Sequence, residues 1–283
     1  MFFLKNKLFL LVFVVWAISL SFRMSTYDPT MPIVMDSLNF FSYAIDIHVL
    51  GGLPENYTVT KPGWSILLAG LFSIFDFSET DSYMQLQRIT SIIISSVIIF
   101  PLYFLCNIFV EKKYSIIGVT LFAFAPRLIE ISMNGTTDSL FILFLTMTIL
   151  FFLKNSKKSI YISFLIAGIS AIIRPEGLFL FLAISFLLIF KFKNEKFKFP
   201  KYLLAIIIFV IVLLPFALYT EHVNPGTSSF SRIIYSAAQY FQTSDEEVYT
   251  TSDGNSFIAS KISAITGLEY FGKYLSWVMV PMF

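Results

Sequence analysis

Charge is scarce in this chain: 13% of its 283 residues are charged, about half the roughly 25% of a soluble globular domain. Cysteine is nearly absent. Cys106 stands alone, so no intrachain disulfide can form and a disulfide-stapled secreted fold is excluded. His48 and His222 are the only histidines, and with a single cysteine they cannot build a zinc site unaided. Twenty basic against 18 acidic residues leave a net charge of +2, which provides none of the basic surface that nucleic acid demands. No internal repeat or low-complexity tract is evident.

What is abundant is apolar. Hydrophobic residues make up 57% of the chain, 34 of them phenylalanine, and the mean hydropathy is +0.77. They fall in long uninterrupted runs, which excludes disorder and makes the bilayer the solvent. The expected fold is therefore all-α: a polytopic membrane protein of about seven transmembrane helices, with surface helices in its first outer loop.

A helix needs about 20 apolar residues, within roughly 17–25, to cross the hydrocarbon core. The spans expected on that basis are Leu8–Phe22, Ile89–Val110, Ser115–Met133, Asp138–Leu153, Ile160–Ile173, Leu178–Phe190 and Tyr202–Tyr219. Pro62–Phe75 is apolar but short, so an interfacial or re-entrant helix suits it as well as a span. Lysine and arginine accumulate on the cytoplasmic side, and this arbitrates. If Pro62–Phe75 does not cross, four clusters share one side: Lys5 with Lys7, Lys112 with Lys113, Lys154 with Lys157 and Lys158, and the run Lys191–Lys201. Only two acids, Glu111 and Glu195, lie among them. If the segment crosses, the first cluster faces the other three. The expectation is thus a cytoplasmic N terminus, seven spans, and Pro62–Phe75 lying in or dipping into the outer leaflet of the cell membrane. Ala17-Ile18-Ser19 is the nearest approach to a signal-peptidase site, so the first helix is expected to be retained.

This topology puts residues 23–88, the turn at Asn134–Asp138, the turn at Arg174–Gly177 and everything after Thr220 on the outer face. All five arginines, Arg23, Arg88, Arg127, Arg174 and Arg232, lie there or in outer helix ends, against the usual bias. Either a bound phosphate or pairing with the acids of that face accounts for them.

Within the first outer loop, DSLNFFSYAIDIHVLGG reads as a helix. Asp36 stands at the cap position, Leu38, Phe41, Ile45 and Val49 recur near the helical period, and Gly51-Gly52 ends it. Too polar to span, it is expected on the membrane surface with that face down. Asp36 is either a helix cap or a catalytic carboxylate at the membrane edge. Lys61, before Pro62-Gly63-Trp64, either snorkels to headgroups or meets a lipid-linked phosphate, and Trp64 suits the interfacial aromatic belt. Asp138 opens the next span as a cap, or joins Arg127 and Glu130 in the wall of a polar pocket, since ionisable groups at membrane depth usually line a cavity. Arg174 and Glu176 flank Pro175 in a tight turn, as a structural pair or as part of a site.

The order of these features resembles the GT-C superfamily of integral membrane glycosyltransferases, closest to the glycosyltransferase family 39-like branch with the protein mannosyltransferases and lipid A aminoarabinose transferases. Three pieces carry the resemblance: Asp36 followed by Lys61-Pro62-Gly63-Trp64, the stretch Pro126 to Asp138, and Ala167-Gly168 to Arg174-Pro175-Glu176-Gly177. It covers about residues 1–219, which the resemblance makes an N-terminal seven-span module. Gly63 stands where many relatives have a second proline, Ser37 where many have a second acid, and no Trp-Trp-Asp motif is present. The resemblance implies a glycosyltransferase that uses a sugar on polyprenyl phosphate. The acceptor would be a glycan, lipid or protein hydroxyl, with membrane lipids surrounding the site and no nucleic acid involved. It assigns Asp36 as general base and Asp138 to acceptor orientation. Lys61, Arg174 and Arg127 would hold the donor phosphate, and Glu130 and Glu176 would support them. Attack opposite the phosphate predicts inversion, and a monophosphate donor requires no metal or other cofactor.

From Thr220 the chain turns polar. Phe230, Ile233, Ile234, Ala237 and Phe241 share a helical face, expected as another surface helix, while Asp245-Glu246-Glu247 and Asp253-Gly254 read as solvated loop. Residues 220–283 form an outer segment and the start of a further span, expected to belong to a truncated module. The sequons Asn56-Tyr57-Thr58 and Asn134-Gly135-Thr136 are glycan acceptors or chance. Two other function classes stay open: a transporter or lipid flippase, and a non-catalytic membrane subunit or remnant. Transporters favour midplane sites and repeats, and here the charges gather at one edge.

Overall fold

The computed structural model describes residues 2–33, 36–55, 62–154, 156–191, 198–223, 248–250 and 256–258. It divides into residues 1–233 and 234–283. Every described element of the first unit is an α-helix: α1 Phe2–Thr26, α2 Asp36–Leu50, α3 Gly63–Phe75, α4 Thr80–Val97, α5 Ile99–Phe109, α6 Lys112–Ala123, α7 Pro126–Met133, α8 Asp138–Leu153, α9 Lys157–Ile173, α10 Glu176–Lys191 and α11 Lys198–Val223. The second unit holds a two-stranded antiparallel pair, β1 Val248–Thr250 and β2 Ser256–Ile258, with Tyr249 opposite Phe257. The solvated loop expected at Asp245-Glu246-Glu247 and Asp253-Gly254 lies outside the described residues. The helix expected over Phe230–Phe241 lies outside the described residues, as do Lys61, Arg232 and the sequon at Asn56.

The distribution of side chains is that of a membrane protein. Phe179, Leu182, Phe186 and Phe190 of α10, and Ile211 and Leu218 of α11, are exposed, which in water would make an aggregating surface. The interior is lined with small hydroxyls: Ser91, Ser95 and Ser96 of α4, Thr146 and Thr148 of α8, Ser163 and Ser170 of α9. In lipid there is no hydrophobic drive between helices, so close packing and satisfied polar groups hold the bundle. Thr146, Thr148, Ser163 and Ser170 each return their proton to a carbonyl three or four residues back, as isolated hydroxyls in helices do.

Three helices are long and apolar enough to cross a membrane among the described residues: Leu8–Thr26, Thr80–Phe109 and Phe199–Val223. A fourth counts if α6 and α7 form one span, bent by 52°. Both breaks trace to proline. Pro101 has no N–H to donate to Val97, where α4 ends, and Pro126 opens α7 after an extended Ala125. Helices α8, α9 and α10 have 16, 17 and 16 residues, at or below the lower limit for a span, so these lengths leave the count of seven unestablished. Helix α3, at 13 residues, is short, as its apolar run implied.

Three apolar clusters tie the bundle together. Val12, Val15, Ile99, Tyr103, Ile116, Val119 and Ala123 join α1, α5 and α6. Phe152, Phe164, Ala171, Ile184, Leu188 and Phe209 join α8 to α11. The third matters for function: Phe41, Ala44, Trp64, Leu68, Phe72, Tyr83, Leu140 and Ile173 bring α2, α3, α4, α8 and the end of α9 to one place. One sequence-based expectation, that for Trp64, changes here. Helix α2 buries Ser37, Phe41, Tyr43 and Ala44, while Leu38 and Val49 stay exposed, because its partner is α3. Trp64 is fully buried rather than sitting in an interfacial belt, since its indole N–H has a backbone acceptor inside the protein.

Candidate functional site

That acceptor is Gly135. Trp64 Nε1 donates to its carbonyl at 3.0 Å, and Gln87 Nε2 donates to the same oxygen at 2.8 Å. Gly135 follows α7 with φ of +70°, a left-handed conformation that glycine adopts without steric cost. A Cβ there would lie 3.0 Å from Gln87 Cγ and 3.3 Å from Arg88 Cγ. Gly135→Ala is expected to lower stability by about 2–3 kcal/mol, combining the left-handed penalty with crowding. Thermal unfolding of the purified protein checks this, and a shift indistinguishable from wild type would mean the turn has another geometry.

Helix α4 fixes this turn from below. Arg88 donates from Nε to Met133 O at 2.9 Å and from Nη1 to Met31 O at 2.6 Å, and its guanidinium lies 4.6 Å from the centre of the Tyr27 ring. Ser91 and Ser139 hydroxyls meet at 2.9 Å. Gln87 Nε2 also donates to Ser37 O at 3.0 Å, and Ser37 Oγ donates to Asn134 O. The first turn of α2, which begins at Asp36, is thereby stapled to the turn that leads into Asp138.

Asp138 opens α8 as expected but does not serve as a side-chain cap. One carboxylate oxygen accepts from Thr136 Oγ1 at 2.7 Å and the other from Arg174 Nη1. Arg174 also grips Glu176, through Nε at 3.2 Å and Nη2 at 2.8 Å, in the two-pronged geometry that a planar guanidinium favours. The hydrogen bonds that Arg174 donates to Glu176 foremost, and then the charges of Asp138 and Glu176, raise the Arg174 pKa above its ordinary value against the opposing effect of burial. Two carboxylates against one guanidinium leave the group one negative charge in excess, and each edge of the guanidinium is engaged.

The end of α9 carries this triad because its neighbours come unusually near. A Cβ on Gly63 would lie 2.9 Å from Ile172 O and 3.0 Å from Ile173 Cα, and one on Gly177 would lie 2.4 Å from Ala171 N. Helices α3 and α10 can press on the last turn of α9 only where they carry no side chain. Pro175 then ends α9, and Arg174 leaves it in an extended conformation.

The residues singled out from sequence thus divide. Asp138, Arg174 and Glu176 are in direct contact, and the start of α2 at Asp36 is tied to the same turn. Asp36 is exposed. Arg127 and Glu130 pair with each other at 3.0 Å on the exposed surface of α7 and make no hydrogen bond or ion pair with Asp138 or Arg174. Lys61 lies outside the described residues. Of the arginines awaiting an explanation, Arg127 and Arg174 pair with acids, while Arg88 is held by carbonyls and an aromatic ring. Arg23 is buried and bonds Ser19. Gln87 was not marked by sequence, and Arg88 only as one of the five outer-face arginines; both stand just before the span expected from Ile89. Among the described residues, no three His, Cys, Asp or Glu side chains gather as metal ligands.

A search among curated proteins found no match. The family model described as dolichyl-phosphate-mannose-protein mannosyltransferase matches residues 61–219, which contain Asp138, Arg174 and Glu176 and begin after Asp36. With more than half of its length matched, the chain belongs to this family of GT-C, glycosyltransferase family 39-like integral membrane glycosyltransferases.

Proposed function

We propose that this protein moves a sugar from a polyprenyl-phosphate donor to a hydroxyl of a glycan, lipid or protein acceptor at the outer face of the cell membrane, with inversion at the anomeric carbon. The family membership supports the donor class. The observation that carries the site is the joining of the Asp36 end of α2 to the turn that holds Asp138 against Arg174.

In this scheme the Asp36 carboxylate takes the acceptor proton as the oxygen attacks the anomeric carbon, because an alcohol is a poor nucleophile at neutral pH. The bond from that carbon to the phosphate oxygen breaks, and polyprenyl phosphate leaves with the electron pair. Arg174 and Lys61 neutralise the charge that develops on it. Arg174 does so by exchanging Glu176, the most exposed member of the triad, for the phosphate, while Asp138 keeps the guanidinium in place and orients the acceptor. Arg127 and Glu130, already paired and exposed, take no part. The accompanying topology has seven spans, a cytoplasmic N terminus and α3 in the outer leaflet.

The test is the full chain in proteoliposomes with synthetic polyprenyl-monophosphate sugars and hydroxyl acceptors. The expected result is release of polyprenyl phosphate and a product of inverted configuration. Retained configuration, or no release across the sugar panel, would overturn the reading. In a Cys106→Ser background, single cysteines at the exposed positions Ser78, Asn134 and Ser156 test the topology. The first two should react with an impermeant thiol reagent from outside and the third should not.

A further inference from the structure

We propose that Gln87 is a positioning residue for sugar transfer: its carboxamide sets the placement of Asp36 relative to Asp138. The inference rests on the roles proposed above for those two acids and goes beyond them, since nothing in the sequence pattern or the family match marks Gln87.

Gln87 lies in α4 with its side chain fully buried. Its two amide protons are divided between Ser37 O, next in sequence to Asp36, and Gly135 O, three residues before Asp138. No other described side chain bonds to both segments through one group. The remaining ties act on one side or in parallel: Trp64 holds Gly135, Ser91 meets Ser139, Arg88 holds Met133 and Met31, and Ser37 reaches Asn134 by its own hydroxyl. The turn itself is therefore well anchored without Gln87. What Gln87 adds is the spacing between the two acids' backbones.

A second feature separates positioning from mere packing. The Gln87 Oε1 atom is buried and has no hydrogen-bond partner among the described residues. An unmet buried acceptor is destabilising, and an apolar side chain of similar shape removes that cost. Methionine would remove that cost but also the two donated bonds, so the net change in stability is expected to be small. Glutamine is the better residue only for what its donors hold.

The experiment is Gln87→Met in the full chain in proteoliposomes, measuring kcat, donor KM for a polyprenyl-monophosphate sugar, and the unfolding temperature. Misplacement of a reacting group by about an ångström costs on the order of 100-fold in rate. The expected result is a fall in kcat of about 10- to 100-fold, with donor KM within about two-fold and an unfolding temperature close to that of wild type. An unchanged kcat, or a kcat that falls together with the unfolding temperature, overturns the proposal. If Gln87→Met fails to insert, Gln87→Asn, one methylene shorter and able to reach only one carbonyl, must show the same split. Asp36→Asn is measured alongside. Full activity there overturns the base assignment itself, whereas activity lost there but kept in Gln87→Met overturns only the positioning role.

Discussion

Replacing Asp36 by asparagine is expected to lower sugar transfer by about 10²- to 10⁴-fold, the usual contribution of a positioned general base, and to leave the fold intact. The carboxamide keeps the shape and can still accept a hydrogen bond, but it cannot take a proton from the acceptor hydroxyl at neutral pH. Folding should tolerate the change because Asp36 is exposed and forms no ion pair or side-chain hydrogen bond with a described residue. Helix α2 is held through Ser37, Phe41, Tyr43 and Ala44. Loss of a negative charge from the first turn of α2 costs at most about 1 kcal/mol. The measurement is initial transfer rate with the unfolding temperature as control, and Asp36→Glu should recover part of the rate. Near wild-type transfer by the asparagine variant would remove Asp36 from the mechanism.

Gly177→Ala is expected to cost about 3 kcal/mol, at the upper end of the overpacking range, and to abolish most activity with it. The added Cβ would sit 2.4 Å from Ala171 N, 2.5 Å from Ala171 Cα and 2.6 Å from Ser170 C. All three are backbone atoms of α9, so no rotamer change relieves the clash and α10 must move away. Arg174 and Glu176 then separate, because their contact depends on the tightness of that turn. Gly70→Ala is the matched control: a Cβ there meets nothing within 4 Å, and helix propensity favours alanine by about 0.5–1 kcal/mol. Unfolding temperatures of the two variants should diverge in sign. Equal behaviour would mean that α9 and α10 are not in contact at Gly177.

The acids and the arginine of the site were legible because they stand at element boundaries. Asp138 and Glu176 are the first residues of α8 and α10, and Arg174 follows the last residue of α9, positions announced by Gly135, Pro175 and the ends of apolar runs. Glycine and proline act on the backbone directly, so their meaning survives without knowledge of neighbours. The Arg127–Glu130 wall was less legible. Spacing of three residues on a helix brings two side chains together, but it does not say what else the pair meets, and here it is exposed and bonds neither Arg174 nor Asp138. In α2, likewise, periodicity gives a stripe, while the partner α3 selects which residues are covered within the protein.

The sequence by itself determined the solvent and the chemistry at hand. Long apolar runs require helices whose backbone groups bond internally, and scarce charges gathered at helix ends limit the reactive groups to a few carboxylates and cations. Only the tertiary structure decided how these meet. Gln87, Arg88 and Trp64 read from sequence as polar residues at the end of the outer loop and an aromatic at an interface, yet they hold the Gly135 turn and the start of α2 together. Contacts between residues some 50 positions apart leave no local periodicity. Likewise, Gly63 and Gly177 let α3 and α10 converge on the end of α9, a condition of packing that no single segment carries.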